Sequence, residues 1–144
     1  MGSISVRHEL RDRFRVGIRS HELLVDQPAP TSGDDGPTPT ELFVASLAAC
    51  AAFYARRFLA RRGLADGALT VRADFAMAAD HSRVASIVLH VETPDGVPAE
   101  LRGALERVVA ACTVHESIRQ APAVSLEIAT VDRSAQSEPV SATT

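Results

Sequence analysis

The chain has 144 residues, a formal net charge of -3 and 46% apolar residues, the profile of one globular domain with a core. At that charge neither nucleic acid nor an anionic membrane surface is implied as a partner. All fifteen basic residues are arginine, which excludes lysine nucleophiles and Schiff-base chemistry.

Ile4, Val6, His8 and Leu10 alternate with Ser5, Arg7 and Glu9, the period-two signature of a strand with one buried face. Phe14, Val16 and Ile18 predict a second strand, and His21 to Val25 a third that Pro28 ends. From Ala29 to Pro37 there is no apolar periodicity, which predicts a loop. Thr38 as N-cap, Pro39 at the first helical position and Glu41 three residues after the cap predict a capping box. The helix it opens should run to about Arg62 and stop at Gly63. Its middle, Leu42 to Tyr54, is apolar on every side, which places it at the centre of a fold or a dimer. The apolar stretch Leu42 to Ala55 is shorter than the roughly 20 residues that span a bilayer, so the reading is a buried helix.

Alternation of Leu69, Val71, Ala73, Phe75 and Met77, and then of Ile87, Leu89 and Val91, predicts a hairpin covered on one face by the long helix. After a turn at Pro94, Asp95 and Gly96, a second helix carries Leu101, Ala104, Leu105, Val108, Val109 and Cys112 at intervals of three and four. That spacing puts Cys112 on the buried stripe. Thr113 and Glu116 predict another capping box opening a short third helix, and Val124, Leu126 and Ile128 predict a closing strand over Ala123–Thr130. A single domain over 1–132 is expected, with 133–144 a disordered tail. Residues 1–5 lack a basic stretch followed by an apolar run, so the expected location is the cytoplasm.

The only two cysteines, Cys50 and Cys112, carry the chemistry. Cys50 lies far from its helix N-terminus and needs a nearby cation to ionise. Arg13, Arg15 and Arg19 of the N-terminal strands are the natural suppliers, because a guanidinium stabilises a thiolate and can hydrogen-bond a peroxide oxygen. Ser46 and Tyr54 lie one turn either side of Cys50 and share its face. Without such help Cys50 reads as a small buried thiol among Ala and Phe. Cys112 precedes Thr113, the predicted cap of the next helix, where local dipoles favour a thiolate. As a pair they allow one thiolate to attack a peroxide, become a sulfenic acid and condense with the other thiol. A Cys–His hydrolase would need His21, His81, His90 or His115 beside a cysteine, and no local signature of one surrounds either thiol. There is no C-x2-C or H-x3-H spacing, no Gly-rich phosphate loop after a strand and no G-x-S-x-G, so neither metal nor cofactor is expected.

The run GPTPTELFVASLAAC over 36–50 resembles the central-helix motif of the OsmC/Ohr family, and CTVHESI over 112–118 resembles the segment around its second cysteine. The order of the parts is similar as well: three strands, a long helix with a mid-helix Cys, a hairpin, then a helix ending in Cys. The resemblance implies an α+β OsmC-like fold and an intertwined homodimer in which both central helices are buried. It also implies cofactor-free, thiol-based reduction of organic hydroperoxides, with a small-molecule peroxide and a dithiol reductant as partners. Carried over by position, Cys50 would attack the peroxide and Cys112 would resolve the product. In hydroperoxide-resistance members a carboxylate ten residues before the first Cys holds an N-terminal arginine over the sulfur, and that position is Thr40 here. Glu41 is the candidate substitute, although it points about half a turn away from Cys50 and capping is an adequate reason for it. Residues 18–28 look like a different OsmC-like branch, with Arg19 the candidate activating residue and Arg13 the runner-up. Thr40 also motivates an alternative: a dimeric module that binds a small apolar or acyl ligand, its thiols inert or redox-sensing.

Overall fold

The computed structural model describes residues 2–64, 67–93 and 96–130. The tail expected over 133–144 and the turn residues Pro94 and Asp95 lie outside the described residues. Alternating apolar residues form three N-terminal strands: β1 (Ile4–Leu10), β2 (Arg13–Ile18) and β3 (His21–Val25). They make an antiparallel meander in which Val6 faces Val16 and Val16 faces Leu23. Two-residue connections join them, with Arg11 and Arg19 at φ 53° and 56° in the left-handed region that tight hairpins require. The expected buried face is not covered. Ile4, Val6 and Leu10 remain 64%, 59% and 58% exposed, since no element among the described residues lies across them.

The loop that follows is built on Asp26, which is 1% exposed. Its carboxylate accepts the backbone N–H of Gln27 at 2.8 Å and of Asp35 at 3.1 Å. The Ser32 hydroxyl is its strongest partner, and together these bonds hold the Asp26 carboxyl below the usual carboxylate range against the opposing cost of desolvation. A side chain at Gly36 would collide with the Leu24 carbonyl, so glycine lets the loop close on β3. A carboxyl with a lowered folded pKa contributes stability that is present above its unfolded pKa and lost as pH falls through the folded one. Asp26→Asn is therefore expected to lower the melting temperature at neutral pH and to make the loss of stability on acidification shallower. Thermal melts of both proteins across the acid range check this, and parallel acid slopes would contradict it.

The helix α1 (Pro39–Ala60) starts at the predicted capping box. Thr38 Oγ1 accepts the Glu41 N–H at 3.2 Å while Glu41 Oε2 accepts the Thr38 N–H at 2.7 Å. The chain leaves it through Arg61 and Gly63, whose φ of 66° suits a helix stop. Val44, Leu47, Ala51, Ala55, Phe58 and Leu59 form its buried stripe. By length and composition α1 is apolar enough to cross a bilayer, which the shorter run Leu42–Ala55 did not suggest. Its buried stripe packs against α2 and the hairpin strands. The opposite side is open, with Phe43 and Phe53 exposed, so one chain buries one stripe of a helix that is apolar all round.

The hairpin is β4 (Thr70–Met77) with β5 (Val84–Glu92), antiparallel, with Val71 facing Val91 and Ala73 facing Leu89. Two helices close the fold: α2 (Ala99–Ala110) and α3 (Thr113–Arg119). Ala55, Phe58 and Leu59 of α1 meet Leu105 of α2, with Leu69, Val91, Leu101 and Val109 around them. The α+β architecture is thus as expected, with two corrections. The cap of α3 is Cys112, not Thr113, and it makes no side-chain cap bond; Glu116 instead accepts from Arg119 at 3.0 Å. The strand expected over Ala123–Thr130 is absent, and Val124, Leu126 and Ile128 are almost fully exposed. Alternation alone does not make a strand, because the backbone needs an edge to pair with, and no strand among the described residues pairs with it.

Candidate functional site

Helix geometry sets Cys50 on the half-buried flank of α1, between the buried Leu47 and Ala51. Cys112 is fully buried at the break where α2 ends and α3 begins. Both thiols are free. The packing of α3 on α1 brings them into one neighbourhood, close enough for Cys50 to act on the Cys112 thiol. Burial pushes the Cys112 thiol up from its ordinary pKa, and the Cys50 sulfur adds to the rise. The backbone N–H groups of His115 and Val114, at the start of α3, point at the Cys112 sulfur and pull the other way. The local dipole expected beside Cys112 is therefore present, but desolvation outweighs it and the thiol is held protonated.

A second contact ties the same two segments. Tyr54, one turn beyond Cys50, has its hydroxyl 3.2 Å from Oγ1 of Thr113, the residue after Cys112. Ser46, one turn before Cys50, donates its hydroxyl to the Phe43 carbonyl at 2.7 Å and so is spent on its own helix. His115 lies between two apolar-walled cavities. The larger, about 650 Å³, runs between β5 and α2 past Leu89, Val91, Leu105 and Val109. The smaller, about 270 Å³, reaches Phe43 and Leu47 on the turns of α1 that precede Cys50.

The remaining candidates lie elsewhere in this chain. Arg19 sits at the tip of the β2–β3 hairpin, beside a surface cleft with Ser5, Arg7, His21 and Glu22. Arg13 is in an ion pair with Asp35 at 2.7 Å, and its Nε lies 3.3 Å from Glu9. That Nε is buried and has no partner at hydrogen-bond geometry. Arg15 pairs with Glu9 and Glu22. Glu41 is absorbed by the Thr38 backbone N–H and hydroxyl, which hold its carboxyl below the usual range. Thr40 lies half-buried in the first turn of α1. The residue that sequence reasoning passed over is Asp35. It gives Arg13 a carboxylate from the loop, where Thr40 supplies none from the helix. An aspartate in a Gly/Asp/Pro run carries no periodic signal, so only the fold of the Asp26 loop reveals it. Among the described residues no group of three or more His, Cys, Asp or Glu side chains is placed to hold a metal ion.

A three-stranded meander, a central helix carrying one free thiol, a hairpin and two closing helices with a second free thiol at their junction define a class of small α+β proteins. The family model described as OsmC-like protein matches residues 32–127, and the chain belongs to that family. No curated protein matches the sequence. Among solved structures, a Psychrobacter arcticus protein described as an osmotic stress induced and detoxification response protein is similar at TM-score 0.74 and 19% identity, over 81% of this chain and 88% of that one. The OsmC-like protein of Mycoplasma pneumoniae gives TM-score 0.69 and 16% identity over 84% and 89%. The organic hydroperoxide resistance protein OhrB of Bacillus subtilis gives TM-score 0.58 and 18% identity over 84% and 92%. At these identities the likeness is one of fold.

Proposed function

We propose that this protein reduces organic hydroperoxides through its two cysteines, as part of a peroxide-stress response. The observation that carries this reading is the seating of α3 on α1, with Tyr54 hydrogen-bonded to Thr113, which brings Cys112 into the neighbourhood of Cys50. The Cys50 thiolate attacks the distal oxygen of the hydroperoxide, the O–O bond breaks, and the alkoxide takes a proton and leaves as the alcohol. Cys50 is then a sulfenic acid. The Cys112 sulfur attacks it, an S–S bond forms and water leaves. A dithiol reductant returns both thiols and is itself oxidised to a disulfide. The test is to add one equivalent of cumene hydroperoxide to the reduced protein. Loss of both thiols, a Cys50–Cys112 disulfide in the peptide map and one equivalent of alcohol are expected, and an unchanged thiol count would overturn the reading.

The working unit in this reading is a homodimer. Three apolar surfaces left open in one chain support it: Ile4, Val6 and Leu10 on β1, Phe43 and Phe53 on α1, and Val124, Leu126 and Ile128 beyond α3. A second copy laying its N-terminal sheet over α1 would cover them and bring an arginine toward Cys50. In this reading the arginine is Arg13, whose ion pair with Asp35 orients it, with Arg19 on its hairpin tip the alternative. Light scattering should give twice the chain mass, and Val6→Asp or Leu126→Asp should shift it to that of one chain. A wild-type protein with the mass of one chain would sink the dimer.

The 650 Å³ cavity favours a second reading, a module that binds a small apolar or acyl ligand while its thiols stay inert. Alkylation kinetics separate the two. Slow iodoacetamide reaction at Cys50 at neutral pH would favour binding, and fast reaction would favour the reductase.

A further inference from the structure

The thiol pair joins a residue in the middle of α1 to the residue that opens α3, so its geometry depends on how α3 is seated against α1. Beside the sulfurs a side-chain hydrogen bond links the same two elements. Tyr54 follows Cys50 by one helical turn on the same face, Thr113 is the next residue after Cys112, and their hydroxyls are 3.2 Å apart. The α3 cap makes no side-chain bond of its own, and the Ser117 hydroxyl and Glu116 carboxylate are engaged within α3. None of these local bonds fixes the helix against α1.

We infer that Tyr54 and Thr113 are positioning residues that hold the Cys112 sulfur in line with Cys50, so that their hydrogen bond governs disulfide formation. The inference rests on the proposed two-cysteine reading for its biological use, and deepens it. It concerns the second step alone. Peroxide attack by Cys50 needs no contribution from Cys112, whereas attack of the Cys112 sulfur on the Cys50 sulfenic acid, with loss of water, needs the two sulfurs in register. A tether one turn from one sulfur and one residue from the other fixes that register. It also restricts α3 from swinging away while Cys50 is oxidised.

Two measurements test it in Tyr54→Phe and Thr113→Val, each of which deletes one hydroxyl and leaves the shape nearly unchanged. The first traps the Cys50 sulfenic acid with dimedone after a hydroperoxide pulse. The variants should react with hydroperoxide at the wild-type rate but form the disulfide roughly threefold to tenfold more slowly, the factor one hydrogen bond supplies, with a matching rise in the dimedone adduct. The second needs no peroxide. Equilibration with glutathione disulfide, which gains two hydrogens as the protein loses two, gives the effective concentration of one protein thiol for the other, and it should fall by a similar factor. Thr113→Ser keeps a hydroxyl and should restore both values, while the double variant should be no worse than either single one. Wild-type sulfenate lifetimes and glutathione equilibria in both single variants would overturn the inference. A wild-type protein inert to hydroperoxide, with variants still shifted in the glutathione equilibrium, would remove the reductase reading and leave the positioning role standing.

Discussion

Cys50→Ser should lower the second-order rate constant for organic hydroperoxide reduction by on the order of a thousandfold or more, the scale on which removal of a covalent nucleophile acts. A serine hydroxyl cannot form a sulfenic acid, and Cys112 is poorly suited to take over. It is fully buried, and its thiol is pushed up first by desolvation and then by the neighbouring sulfur. Cys112→Ser should behave differently. It should consume about one equivalent of hydroperoxide per chain and stop, with Cys50 as a sulfenic acid that dimedone captures, because only the resolving thiol is gone. Stopped-flow peroxide consumption and intact mass of both variants check the pair of outcomes. Turnover surviving in Cys50→Ser, or first-step rates equally damaged in both variants, would show that the roles of the two sulfurs are not divided in this way.

The parts of this fold legible in the sequence are those decided by neighbours along the chain. The capping box of Thr38 and Glu41 and the stop at Gly63 are local events, and each forms where its residues predict. Alternation in Val124, Leu126 and Ile128 reads equally well as a strand, but a strand also needs an edge, and that requirement is not local. The same limit applies to the apolar faces of β1 and α1. Their periodicity says that a face should be covered without saying which chain covers it. At the candidate site the cysteines were legible as residues, while their proximity depends on the seating of α3 on α1. Arg13 was legible only as one arginine among several. Its partner Asp35 depends on Asp26 drawing a loop residue nine positions away onto its own carboxylate, a bond with no periodic trace.

Leu59→Ala should destabilise the protein by about 2–5 kcal/mol, the cost of deleting a fully buried leucine side chain and leaving a cavity that relaxes only in part. Leu59 has no exposed surface and sits in the cluster with Ala55, Phe58 and Leu105, where α1, α2 and β5 meet. Phe53→Ala on the open side of the same helix provides the contrast. Phe53 is 55% exposed, with Arg57 stacked 5.3 Å from its ring centre, so within one chain it has little packing to lose. If a second copy covers α1, Phe53→Ala should cost stability that is largest at high protein concentration and fades as the protein is diluted to single chains, because the lost contacts belong to association. Leu59→Ala should cost the same at every concentration. Chemical denaturation of both variants over a hundredfold range of protein concentration distinguishes these cases. A Phe53→Ala cost that is small and independent of concentration would mean that the open stripe of α1 faces water, and Cys50 would then have to find its activating arginine within its own chain.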